Sequence, residues 1–204
     1  MRIDSSSTLV EQAGNVPAAG KDTWSENKIA GVLARQIFHR KNLVVVPNCI
    51  WTGDECDLLI VTESLRIIDV EVKISRADFR ADAKKDKWLE HWTGTWHTPT
   101  KDRVRTPRDW PRRVWKHYYA MPKAIWKPEM KDQRPSNTSG VILLSEIGSR
   151  VFAHVEVRAK PCRDADKLSP ADAIDIARLA SLRMWDAYDK LSQAVNLPAT
   201  LTEA

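Results

Sequence analysis

The stretch Asp54-Glu-Cys-Asp57-Leu-Leu-Ile-Val-Thr-Glu-Ser-Leu-Arg-Ile-Ile-Asp69-Val-Glu71-Val-Lys73-Ile74 reads as two adjacent β-strands. The first, 57–62, is apolar on both faces, which suits an interior strand. Along the second, 65–74, Ile68, Val70, Val72 and Ile74 alternate with Ile67, Asp69, Glu71 and Lys73, a period of two. Asp57 opens one strand and Glu71-Val72-Lys73 closes its neighbour, so two carboxylates and an ammonium can gather around one point. Such a point suits a divalent metal and a phosphodiester. It carries a geometric condition. A two-residue turn at Glu63-Ser64 would set Asp57 opposite Val70 and put Asp57 and Glu71 on different faces, so a three-residue connection or a bulge is required.

Upstream, Thr23 and Glu26 have capping-box spacing before a helix whose apolar face is Ile29, Val32, Leu33 and Ile37. Glu26 lies at the edge of that face. It can serve the cap, or reach the same metal, a second metal or a metal-bound water. Residues 43–46 form a short strand stopped by Pro47, with Ile50-Trp51 as the place where it can resume. Ser75 caps a helix expected over 76–92. A long segment without pattern, 93–113, precedes a strand at 117–121 that Pro122 ends. Residues 141–144 and 151–157 make a hairpin across Gly148, and Ser169-Pro170 opens a helix reaching 193. One domain over 23–193 is expected, with arms at 1–22 and 194–204.

Composition narrows the classes. At 204 residues with 43% hydrophobic content, the chain can bury a core. No apolar run approaches a membrane span, and the first residues lack an apolar leader core, so a cytoplasmic protein is expected. Cys49, Cys56 and Cys162 lack the spacing of a disulfide framework or zinc site. The five histidines show no metal-ligand or nucleophile spacing, with His117 only a weak candidate for a phosphate contact. The formal net charge of +5 permits a polyanionic partner. Lys101, Arg103, Arg105, Arg108, Arg112, Arg113 and Lys116 interleave with Trp96, Trp110 and Trp115, opposed by Asp102 and Asp109. This reads either as a clamp whose cations track phosphates while indoles stack on bases, or as a solvated insertion.

Metal-assisted phosphodiester cleavage needs hard oxygen ligands for Mg²⁺ or Mn²⁺. Asp57, Glu71 and the carbonyl of Val72 supply them, and Lys73 shares Glu71's face. The competing reading is a charged strand face that is merely wet. Acid-x-Lys also occurs at Glu26-Asn-Lys28, Asp82-Ala-Lys84 and Glu129-Met-Lys131, so the tripeptide decides nothing by itself.

A helix acid, then Asp, then Glu-x-Lys at the end of the neighbouring strand, then a helix and another strand, resembles the PD-(D/E)XK nuclease superfamily. The segment Glu71-Val-Lys-Ile-Ser-Arg-Ala-Asp-Phe-Arg-Ala-Asp82, with Lys87-Trp88 and Tyr118-Tyr-Ala-Met-Pro122, is similar to its MmcB-like DNA repair branch. Phage-encoded homologues fit the same pattern. The resemblance implies an α/β fold: an αβββαβ restriction-endonuclease-like core, a mixed sheet flanked by helices, with an added β-hairpin and C-terminal helix. It implies Asp57 and Glu71 as metal ligands, Lys73 as catalytic lysine and Glu26 as helix acid. Asp78, Asp82 and Lys87 become accessory positions, with Lys84 or Lys87 at the family's second lysine. The implied activity is Mg²⁺- or Mn²⁺-dependent hydrolysis of DNA, with RNA as the other polyanion, leaving a 5′-phosphate and a 3′-hydroxyl. Repair or phage DNA processing would use it. Lys84, Lys87 and the basic residues of 101–116 are the expected nucleic-acid contacts. A protein of the same fold that binds nucleic acid without cutting is the alternative. The C-terminal helix offers a face for a homodimer.

Overall fold

The computed structural model describes residues 24–90 and 106–195. Its centre is a six-stranded mixed sheet in the order β1-β2-β3-β6-β7-β8, built from β1 (Asn42–Cys49), β2 (Cys56–Thr62), β3 (Ile67–Val72), β6 (Val114–Pro122), β7 (Gly140–Ile147) and β8 (Arg150–Val157). The first three strands form an antiparallel meander, β6 and β7 run parallel to β3, and β8 returns antiparallel. A separate two-stranded ladder joins β4 (Leu89–Glu90) to β5 (Thr106–Pro107).

One sheet face is apolar throughout. Leu58, Ile60, Ile68, Val70, Val72, Ala120, Ile142 and Leu144 pack under α1 (Glu26–Gln36), which contributes Ile29, Val32 and Leu33. Each fully buried leucine or isoleucine there contributes roughly 1.5–3 kcal/mol. Ser25 caps α1, accepting the Lys28 N–H at 3.2 Å. Glu26 is therefore the first helical residue and not the acid of a capping box, and Thr23 falls outside the described residues.

The second face is shared. The α3 helix (Pro170–Val195) covers Val46, Leu59, Val61 and Ile67 through Ile176, with Leu168 just ahead of it. The short α2 (Arg76–Ala81) covers Tyr119, Met121 and Leu143 through Phe79. Both helix starts are as the sequence predicts: Ser75 Oγ accepts the Asp78 N–H, and Ser169 Oγ accepts the Asp172 N–H.

Three expectations are corrected. β1 passes through Pro47 instead of stopping there, because β1 is an edge strand and the missing N–H costs no ladder bond. Ile50-Trp51 is not strand but the start of a turn. The helix expected over 76–92 ends at Ala81, and two 3₁₀ turns, Asp82–Lys84 and Asp86–Trp88, carry the chain back across the sheet. The hairpin beyond β6 does form, but it extends the main sheet.

Candidate metal and phosphodiester site

The connection between β2 and β3 meets the geometric condition. Leu65 N–H donates to Thr62 O at 2.9 Å and Thr62 N–H to Arg66 O at 3.0 Å, closing a three-residue loop over 63–65. Leu65 takes the left-handed conformation (φ 58°) that such loops demand. The ladder ends on Leu58 opposite Val70, and Asp57 and Glu71 are the next residue along each strand. Asp57 Oδ2 accepts the Val72 N–H at 2.7 Å, which fixes the carboxylate at the strand end.

The charged face of β3 is not wet. Asp69, Glu71 and Lys73 are at most 2% exposed, because the turns after α2 lay Asp82, Lys85 and Lys87 over them. Glu71 is the hub. Its Oε2 receives Lys73 Nζ at 2.9 Å and Lys85 Nζ at 2.8 Å, and its Oε1 receives Lys87 Nζ at 2.5 Å. Asp82 Oδ1 lies 3.1 Å from both Lys73 and Lys85, while its Oδ2 accepts Tyr119 Oη at 2.6 Å and Trp88 Nε1 at 3.0 Å. Asp78 Oδ1 stands 3.8 Å from Lys73 and Asp69 Oδ2 3.5 Å from Lys87. Behind them His117 Nδ1 shares a hydrogen bond with Ser139 Oγ at 2.9 Å.

Electrostatics follow from this packing. Burial and the Glu71 charge push the Asp57 carboxyl up to about 6, with Glu26 adding to the rise, against the Val72 N–H and Lys73. Burial would also raise Glu71 and Asp82, but Lys87 and Lys73 outweigh it and hold both below the usual carboxylate range. Burial raises Asp69, with Lys87 opposing. Burial tends to lower Lys85 and Lys87, yet the surrounding carboxylates hold both well above the ordinary lysine value. Burial and Lys87 keep His117 neutral.

Asp57, Glu71, Lys73 and the Val72 backbone thus meet at one strand end, and the Glu26 charge contributes least to the Asp57 shift. Lys87 is corrected: expected among the nucleic-acid contacts, it is 4% exposed and spent on Glu71 and Asp69. Lys84 is exposed. Arg108 and Arg112 share a cavity of about 400 Å³ with Thr52, Asp54, Asp86 and Lys87, so the basic segment reaches the site through Lys87, which is paired to Glu71. Arg113 is exposed with its guanidinium 5.2 Å from the Trp51 ring, and Lys116 sits 4.3 Å from the Trp115 ring. Lys101, Arg103, Arg105 and Trp96 lie outside the described residues.

Sequence reasoning missed Lys85 and took Asp69 only as part of a charged row. The cluster of Lys84, Lys85 and Lys87 after Asp82 was the available signal, but a helix through 92 would have spread those ammoniums around its axis.

No family model matches the chain, and no curated protein matches it. A solved structure of a protein of unknown function from Silicibacter pomeroyi is similar, with 17% identity and a TM-score of 0.50, covering 88% of this chain and 99% of that one. At that identity the likeness is one of fold, an α/β arrangement around a mixed sheet. Among the described residues no helix is long and apolar enough to cross a membrane.

Proposed function

We propose that the protein is a divalent-metal-dependent nuclease built on a restriction-endonuclease-like αβββαβ core, acting on DNA. The observation that carries this reading is the strand end beyond the three-residue loop over 63–65 and the Leu58–Val70 pair, where Asp57 Oδ2 accepts the Val72 N–H and Lys73 Nζ is 2.9 Å from the Glu71 carboxylate. The order α1-β1-β2-β3-α2-β6, with β6 parallel to β3, supports the core.

The donors suit Mg²⁺ or Mn²⁺ in chemistry and charge. They are hard oxygens. Asp57, Asp69, Glu71, Asp78 and Asp82 supply five carboxylates against the ammoniums of Lys73, Lys85 and Lys87, and at Asp57 the Val72 N–H and the Lys73 charge offset burial only in part. Among the described residues no three His, Cys, Asp or Glu side chains already converge as a ligand set. The metal would be held by Asp57, Glu71 and the Val72 carbonyl, with Glu26 at the margin. Half-exposed Lys85 is the ammonium that can leave Glu71 to admit it. The bound cation supplies Lewis acidity and lowers the pKa of a coordinated water.

The chain's own groups do the rest. Lys87 and Asp82 fix Glu71 and Lys73 from behind, so neither has to reorganise. The Lys73 ammonium sits beside the ligand carboxylate, where it can orient a water and stabilise negative charge on phosphate oxygens. Arg108 and Arg112 draw the phosphate backbone to the adjoining cavity.

One observation favours a second reading. Both Glu71 oxygens are already ion-paired, which suits a protein that binds nucleic acid without cutting it. Incubation with supercoiled plasmid, linear duplex and single-stranded DNA, in Mn²⁺ or in EDTA, separates the two. Nicking or shortening in Mn²⁺ alone is expected. Metal-indifferent binding with no product on any substrate would overturn the nuclease reading.

A further inference from the structure

The α3 helix carries two separate apolar faces. One packs on the body: Ile176 is buried, Leu179 and Ala180 are half-buried, and Arg183 Nη2 donates to Asn48 O at 2.6 Å. The other comprises Ile174, Ala177, Ser181, Met184, Tyr188 and Leu191, all exposed. Their spacings alternate three and four, the heptad seam by which one helix packs along another. A helix needing only to cover its own sheet has no use for that second seam.

We infer that this seam binds a second copy of the chain, with the two α3 helices antiparallel. Aligned that way, Ile174 meets the second copy's Leu191, Ala177 its Tyr188, and Ser181 its Met184. Small faces large in the two inner layers, as close packing requires. A parallel pair would instead stack Ala177 on Ala177 and Tyr188 on Tyr188, leaving gaps and crowding in turn. Arg178, beside the seam, meets the second copy's Trp185, a cation–π pair made twice by symmetry. The opposed helix dipoles also attract. Ile174, Met184, Trp185, Tyr188 and Leu191 are 47–67% exposed. They leave roughly 500 Å² open per copy, so a pair covers about 1,000 Å², the lower bound for a specific interface. This matches a reversible dimer. It does not depend on the nuclease reading.

Sedimentation equilibrium of the full chain tests the pairing. The expected result is a species of about twice the 23.2 kDa chain mass. Tyr188→Glu and Leu191→Glu should each weaken association at least about tenfold without changing helical circular dichroism, since neither side chain supports its own fold. Orientation is read by oxidative cross-linking. The Ile174→Cys/Leu191→Cys double variant should form covalent dimers, and Ile174→Cys alone should not, its two copies lying about 25 Å apart. A chain monomeric at ~100 µM would overturn the proposal and leave the seam to a different protein. Association untouched by both glutamates would overturn the surface. Efficient cross-linking of Ile174→Cys alone would overturn the antiparallel pairing.

Discussion

Replacing Asp57 by Asn should make the protein more stable at neutral pH. The carboxyl is raised from 3.8 to about 6 by burial and by the Glu71 charge, so folding an ionised Asp57 costs free energy. Two pH units correspond to about 3 kcal/mol. The side chain is only half-buried, and solvent screening cuts this to about 1.5 kcal/mol. Asn keeps an acceptor for the Val72 N–H and removes the charge. For a chain of this size the gain is about 3–6 °C in Tm at pH 7.5. The sign with pH follows from linkage. Between about pH 4 and 6 the folded state holds the Asp57 proton more tightly than the unfolded chain, so wild-type stability falls as pH rises through that window and the penalty persists above it. The Tm difference between Asp57→Asn and wild type should therefore be full above pH 6 and close towards pH 4. Differential scanning calorimetry from pH 4 to 8 reads it. Mn²⁺ in the same scans should stabilise wild type, by adding positive charge beside Asp57, and leave Asp57→Asn nearly unmoved. A lower Tm for Asp57→Asn at pH 7.5, or a difference that does not change with pH, would refute the charge accounting.

Lys87→Met leaves Asp69 and Glu71 buried with less compensation and should cost about 3–5 kcal/mol in urea unfolding; a loss under about 1 kcal/mol would mean the network relaxes or takes up water. Gly140→Ala puts a Cβ within 2.4 Å of the Tyr118 ring and 2.7 Å of the Ala159 backbone nitrogen, so a loss of about 1–3 kcal/mol is expected by thermal unfolding. Arg108→Ala/Arg112→Ala should weaken DNA binding and reduce the slope of log affinity against log salt by about 1–2, measured by fluorescence anisotropy; an unchanged slope would remove the cavity from the DNA path.

The alternation Ile68-Asp69-Val70-Glu71-Val72-Lys73 and the apolar run of β2 carried the strand pair in the sequence, and the demand for a three-residue loop between them was a matter of counting. Ser75 and Ser169 marked helix starts because short-range capping chemistry is local. What could not be read was tertiary. Nothing in Ala81-Asp82-Ala83 breaks a helix by propensity. The chain turns there while Asp82 meets Lys73, Tyr119 and Trp88, groups 6 to 37 positions away. For the same reason a strand face that looks solvated in sequence is sealed in the fold: Lys85 and Lys87 come from beyond that turn. Pro47 read as a stop because its harmlessness depends on β1 being at the edge, which no local pattern declares.

If Lys73, Asp57 and Glu71 form a hydrolytic site, removing the lysine must abolish cutting. Cleavage of labelled DNA in Mn²⁺ by wild type and Lys73→Ala, side by side and both confirmed folded, tests it most directly. Metal-dependent product is expected from wild type, with a loss of at least about 100-fold in the variant. Equal cutting by both proteins would contradict it.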